Sequence, residues 1–161
     1  MASYDIAMVG GGVGGSSLGK AMAERGYRVL IIERETQFRD RVRGEFVFPW
    51  GVAEAKELGA YDALMQAGGH HPSHWADYAG PDPLPTRDFA EDTPQKLRGL
   101  CIYHPRMQEA LLQAAEAAGA EVRRGARVRH VESGREPTVL VCLSGRGDKD
   151  VETAGSWFEV L

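Results

Sequence analysis

The stretch MVGGGVGGSSLGKAMAERGYRVLIIERE, Met8 to Glu35, holds five of the chain's twenty glycines within the six residues Gly10 to Gly15. The apolar run Tyr4 to Val9 ahead of them predicts a short strand, Ser16 to Arg25 a helix stopped by Gly26, and Tyr27 to Glu33 a second strand. Both strands are almost entirely apolar, the mark of neighbours in a parallel sheet covered on both faces. Strand, helix and strand then form a right-handed βαβ unit.

Gly10, Gly12 and Gly15 fit G-x-G-x-x-G directly after a strand and at the start of a helix, the context that gives this short pattern its meaning. Gly10 allows the tight turn, Gly12 lets the backbone approach a pyrophosphate, and Gly15 lets the helix pack closely on its strand. Gly19, one turn further on, extends that contact. The helix N-terminal amides face the phosphates. Glu33 ends the second strand, eighteen residues after Gly15, where an acid accepts hydrogen bonds from an adenosine ribose and repels a 2'-phosphate, favouring FAD or NAD over NADP. The competing reading is a glycine-rich turn in an unrelated α/β protein, against which the full order of strand, turn, helix, strand and acid counts.

The 161 residues make one domain or part of one, with 43% hydrophobic and 26% charged residues and a net charge of -4. That balance offers no polybasic face, so neither nucleic acid nor an anionic membrane is expected as a partner. Without a signal-like N-terminus, and with apolar runs no longer than those such as Val29 to Ile32, a cytoplasmic address is expected. Cys101 and Cys142 sit in strand-like surroundings, GLCIYH and VLVCLSG, as small buried hydrophobes rather than a disulfide.

Thr36 to Phe48 reads as an arginine-rich loop along the sheet's carboxyl edge, and Val52 to Gln66 as a helix interrupted near Gly59. From Gly68 to Arg98 the prolines of GGHHPSHW, GPDPLPT and EDTPQK exclude long helices and predict short strands and turns of a second sheet. Gly99 to Tyr103 is another strand. In HPRMQEALLQAAEAAGAEV, Met107, Leu111 and Ala115 recur at helical spacing, Pro105 suits the first turn and Gly119 ends the helix. Glu121 to Arg124 is a further strand. Arg127 to Glu132 and Thr138 to Leu143 alternate as an antiparallel excursion. His70, His71 and His74 match no zinc spacing, so no metal is expected. Ser16 and Ser17 have no triad partners and belong at the helix N-terminus, near phosphate.

Together these features resemble the FAD-dependent monooxygenases related to para-hydroxybenzoate hydroxylase. The likeness rests on GGGVGGSSLGKAMAERGYRVLIIERE, whose Glu33-Arg34 pair is characteristic of flavin members, and on RDRVRGEFVFPWGVAEAKELGAYDAL, similar to the family's flavin-facing loop and following helix. The resemblance implies an α/β, Rossmann-like FAD-binding domain with a parallel sheet, an antiparallel excursion and part of a substrate-domain sheet. Residues 1–152 would be its N-terminal part, 68–98 a partial substrate-side insertion and 153–161 an atypical tail. It implies FAD contacts at Gly10, Gly12, Gly15, Glu33, Arg34, Arg41 and Arg43, and, at the start of HPRMQEALLQAA, at His104 or Arg106. Arginine suits a pyrophosphate because its fork of donors matches phosphate oxygens.

By the same resemblance NAD(P)H reduces the flavin, and oxygen is then used to hydroxylate an aromatic or polyketide-like small molecule. The flavin carries that chemistry, and no side chain of this chain is nominated as catalytic. After about Val151 the sequence, DVETAGSWFEVL, departs from the family, whose Asp-Gly and Gly-Asp segments do not follow. A truncated N-terminal piece is expected, off-frame at its end or completed by a separately encoded C-terminal half. The alternatives are a non-catalytic nucleotide-binding fragment and another flavin enzyme of the same fold, a reductase or a halogenase, although Trp50, Trp75 and Trp157 form no W-x-W pattern.

Overall fold

A computed structural model describes residues 3–40 and 45–130. The apolar run before the glycines forms strand β1 (Ile6–Val9), and helix α1 (Val13–Glu24) leads from it to strand β2 (Val29–Glu33). The two strands are parallel, Ile6 opposite Val29 and Val9 opposite Ile32. α1 begins three residues before the expected Ser16, taking Gly14 and Gly15 into its first turn, where their poor helix propensity had placed them in the loop.

The loop after β2 yields strand β3 (Phe46–Val47), not expected from the sequence, before helices α2 (Pro49–Glu57) and α3 (Tyr61–Gln66) meet on either side of Gly59. Residues 68–98 are short pieces, as the prolines require: strands β4 (Tyr78–Ala79) and β5 (Asp82–Pro83) form a hairpin, and α4 (Phe89–Asp92) is a single turn. Strand β6 (Leu100–Cys101) runs antiparallel to β3. Helix α5 (His104–Ala117) carries Pro105 in its first turn, and β7 (Glu121–Arg124) joins β2 in parallel, giving the order β1-β2-β7.

One face of this sheet, with Ile6, Met8, Val29, Ile31 and Val122, packs against Leu18 and Met22 of α1 and Leu112 and Ala115 of α5. On the other face Leu30 is buried, and the Tyr4 hydroxyl reaches across β2 to donate to Glu121 and accept from Arg123, whereas Val9 is 66% exposed. Among the described residues the helices supply one layer, on the first of these faces. A second core joins Val52, Ala60 and Leu64 to Leu100, Ile102, Met107 and Leu111. Adjacent residues of α5, Leu111 and Leu112, thus face different cores.

The compact unit that starts the chain ends at Val128. Arg127 to His130, expected to open the antiparallel excursion, carries no strand. A strand exists only with a paired partner, and the rest of that excursion, Cys142 and the tail lie outside the described residues, as do Arg41 and Arg43.

Candidate functional site

The glycine turn sits where β1, α1, the end of β2 and the start of α5 converge. Gly10 has φ +107°, a conformation a side chain resists, and its amide donates to the Ile32 carbonyl at 2.8 Å. At Gly15 a Cβ would stand 2.1 Å from the Gly10 carbonyl oxygen. The close approach that requires glycine here is thus helix to turn rather than helix to strand. The contact with the sheet comes at Gly19, whose Cβ would meet Ile31 at 2.6 Å.

Gly12 differs from both. Its φ of -72° suits any residue, and a Cβ there would meet only the Gln108 amide nitrogen, at 3.8 Å. Among the described residues nothing requires glycine at this position, which leaves room beside the turn. That space lies at the N-terminus of α1, where the amides of Val13, Gly14 and Gly15 precede the first helical bond, from Ser16 N-H to the Gly12 carbonyl. Such amides form a ready site for phosphate oxygens. Ser16, expected near phosphate, is instead wholly buried, its hydroxyl donating to the Gly11 carbonyl at 2.8 Å.

Glu33 is buried at 6% exposure; one carboxylate oxygen accepts from the Gly11 amide at 2.7 Å and the other from the Glu35 amide at 2.8 Å. A carboxylate has about four acceptor positions, so two stay open for hydroxyl donors. Arg34 is exposed, its nearest acid Glu35 at 3.3 Å.

His104, Gln108 and Leu112 recur every fourth residue along α5 and so share one face. Leu112 and Gln108 lie against Gly11 and Gly12, which sets His104 one turn nearer the helix start on the same side. The His104 Nδ1 atom is buried and has no hydrogen-bond partner. Buried polar atoms are normally paired, and one left so beside an open turn is a place for a ligand atom. Arg106 points elsewhere: its guanidinium packs at Gly68. Gln108 was missed in the sequence because a polar residue in an amphipathic helix reads as solvent-facing; its spacing from His104 and Leu112 was the available signal.

Asp40 and Glu45 both reach the residues that open α5. Asp40 hydrogen-bonds the Tyr103 hydroxyl, which burial, Asp40 and Glu45 push above its ordinary pKa, while the Glu45 carbonyl accepts from the Ile102 amide at 2.9 Å. Of the histidine group, His71 is committed to structure, bonding the Tyr61 hydroxyl at 2.8 Å and the Gly99 carbonyl at 2.7 Å; His70 and His74 are exposed. Among the described residues no three His, Cys, Asp or Glu side chains cluster as metal ligands, and no helix is long and apolar enough to cross a membrane.

Comparison with known proteins agrees with this geometry. Squalene monooxygenase of Mus musculus is 30% identical over 115 residues, 70% of this chain and 20% of that protein. The solved structure of PqsL, a probable FAD-dependent monooxygenase from Pseudomonas aeruginosa, superposes with a TM-score of 0.66 at 17% identity, covering 82% of this chain and 35% of that one. The myxobacterial FAD-dependent halogenase CndH gives a TM-score of 0.62 at 30% identity, over 76% of this chain and 28% of that one. The chain thus spans between a fifth and about a third of the length of these proteins. A family model described as an FAD binding domain matches residues 3–153. On that match, over nearly its whole length, the chain belongs to the FAD binding domain family, and FAD is its cofactor.

Proposed function

We propose that the chain is the adenosine-diphosphate-binding part of a flavoprotein monooxygenase that uses NAD(P)H and oxygen to hydroxylate a small organic molecule. The observation that carries this reading is the turn in which Gly12 keeps open a space that none of the described residues fills, between the α1 amides and the Glu33 carboxylate. In it, Gly10 and Gly15 shape the turn, the amides at Gly12 to Gly15 take the pyrophosphate, and Glu33 accepts from the adenosine ribose. His104 and Gln108 flank the cofactor from α5, a role their shared face favours for His104 over Arg106. Arg34, Arg41 and Arg43 supply positive charge at its rim. FAD, when bound, supplies the redox chemistry with oxygen; the chain's own residues bind it, orient it and shield it from water.

Titration of the purified chain with FAD, followed by quenching of flavin fluorescence, tests the reading. Glu33→Gln should weaken FAD by roughly tenfold to a hundredfold, the loss of a hydrogen bond to a charged group worth about 1.5–3 kcal/mol. Unchanged affinity in that variant would remove Glu33 from the site, and no FAD binding by the parent chain would remove the proposal. A chain that binds FAD and oxidises no NAD(P)H would favour the second reading, a nucleotide-binding piece without catalysis of its own.

A further inference from the structure

Ser16 is wholly buried at the start of α1, yet its hydroxyl bonds outside the helix. A serine inside a helix commonly bonds a carbonyl three or four residues back, which here would be Val13 or Gly12. The Ser16 hydroxyl donates instead to the Gly11 carbonyl at 2.8 Å, five residues back and ahead of the N-cap Gly12. Its amide donates to the Gly12 carbonyl at 2.9 Å. One residue thus holds two consecutive carbonyls of the glycine turn.

Gly11 is gripped from its other side as well. Its amide donates to a Glu33 carboxylate oxygen at 2.7 Å, so a residue with the widest backbone freedom has both polar groups fixed by buried side chains. Little room is left for it to shift: a Cβ on Gly11 would stand 3.1 Å from Leu112 Cδ1 and 3.2 Å from Glu33 Cβ. A buried hydroxyl costs stability unless it is bonded, and alanine would fill the same place without that requirement. Packing alone does not call for serine here.

The consequence lies across the peptide plane. In a trans peptide the N-H points opposite to the C=O, and none of the described peptide bonds is cis. With the Gly11 carbonyl drawn to the buried Ser16 hydroxyl, the Gly12 amide is turned the other way, out of the helix start. The Gly12 carbonyl is drawn to the Ser16 amide, and the Val13 amide is turned out in the same manner. Among the described residues no backbone acceptor takes the Gly12 amide. Successive amides aimed outward in this way form a concave anion site.

We infer that Ser16 is a positioning residue whose hydroxyl orients the Gly12 amide for the pyrophosphate of FAD. Being wholly buried, it acts through the Gly11 peptide rather than by contact with the nucleotide. The inference rests on the nucleotide reading proposed above and deepens it with a side chain that lies outside the three-glycine pattern.

The 161-residue chain and its Ser16→Ala variant would be titrated with ADP and with adenosine, followed by calorimetry and amide NMR. Ser16→Ala should weaken ADP about fivefold to tenfold, less than complete loss of a hydrogen bond to a charged group, and diminish the downfield shift of the Gly12 amide at saturation. Adenosine has no phosphate and should act alike on both proteins. Val52→Ala, in the second core, should lower the thermal midpoint and leave the ADP response as in the parent, which separates misdirection of the amide from simple destabilisation. Ser16→Cys keeps the side chain's shape with a weaker donor and takes over the test if the alanine variant does not fold; it should weaken ADP about threefold. Parent-like ADP affinity and Gly12 shift in the variant would overturn the inference, as would an equal loss for ADP and adenosine, the sign of a generally loosened turn. Parent-like ADP binding without the Ser16 hydroxyl leaves the nucleotide reading standing, whereas a parent chain that binds no ADP removes that reading and the inference with it.

Discussion

At Gly15 the sequence has no freedom, because a methyl group there would stand 2.1 Å from a carbonyl oxygen of the same turn. Gly15→Ala should force the turn open, lowering stability by about 1–3 kcal/mol as overpacking does and weakening FAD binding as well, read by thermal melts and flavin titration. Gly12→Ala separates the two effects: with room for a Cβ in the protein alone, its melting point should match the parent while FAD affinity falls. Asp5 makes a different kind of residue-scale prediction. The Arg28 side chain and amide, bonded to its carboxylate at 2.6–3.1 Å, lower its pKa from 3.8 to about 2. The folded chain therefore takes up that proton less readily than the unfolded one. The contribution to stability is present above about pH 4 and lost as pH falls toward 2. The gap in melting temperature between parent and Asp5→Asn should accordingly close over that range.

Among the elements, β7 is tied to α5 by Arg124, which donates to both oxygens of Glu109 at 2.7 Å and to the Thr36 carbonyl at 3.1 Å. Arg124→Gln should cost about 1 kcal/mol in a denaturant melt, the upper end for a partly exposed pair, with the larger loss of exchange protection in β7. The long elements were legible because each carries its own period or cap: the apolar strands about the glycine turn, Pro105 and the Met107, Leu111, Ala115 stripe of α5. β3 and β6 are two residues each and exist only through pairing across more than fifty positions, which no local period can announce. The site divided in the same way. Gly10, Gly15 and Glu33 have local reasons to be what they are, whereas Gln108 acquires its meaning only when α5 lies beneath the turn.

On the scale of the whole molecule, the parallel sheet presents one face to two helices and leaves Val9 of β1 in water. Among the described strands β1 stands at the end of the sheet, and an apolar residue on such a strand invites pairing with another chain. Val9→Lys should reduce self-association in light scattering while leaving the fold's circular dichroism intact. The two cores, meanwhile, share a single wall. Since Leu111 plugs one and its neighbour Leu112 the other, no opening of α5 can spare either. The two halves are therefore one cooperative foldon rather than two: the slowest-exchanging amides of β2 and those of α3 should report the same opening free energy, and a ligand that tightens the glycine turn should slow exchange in a helix that never touches it.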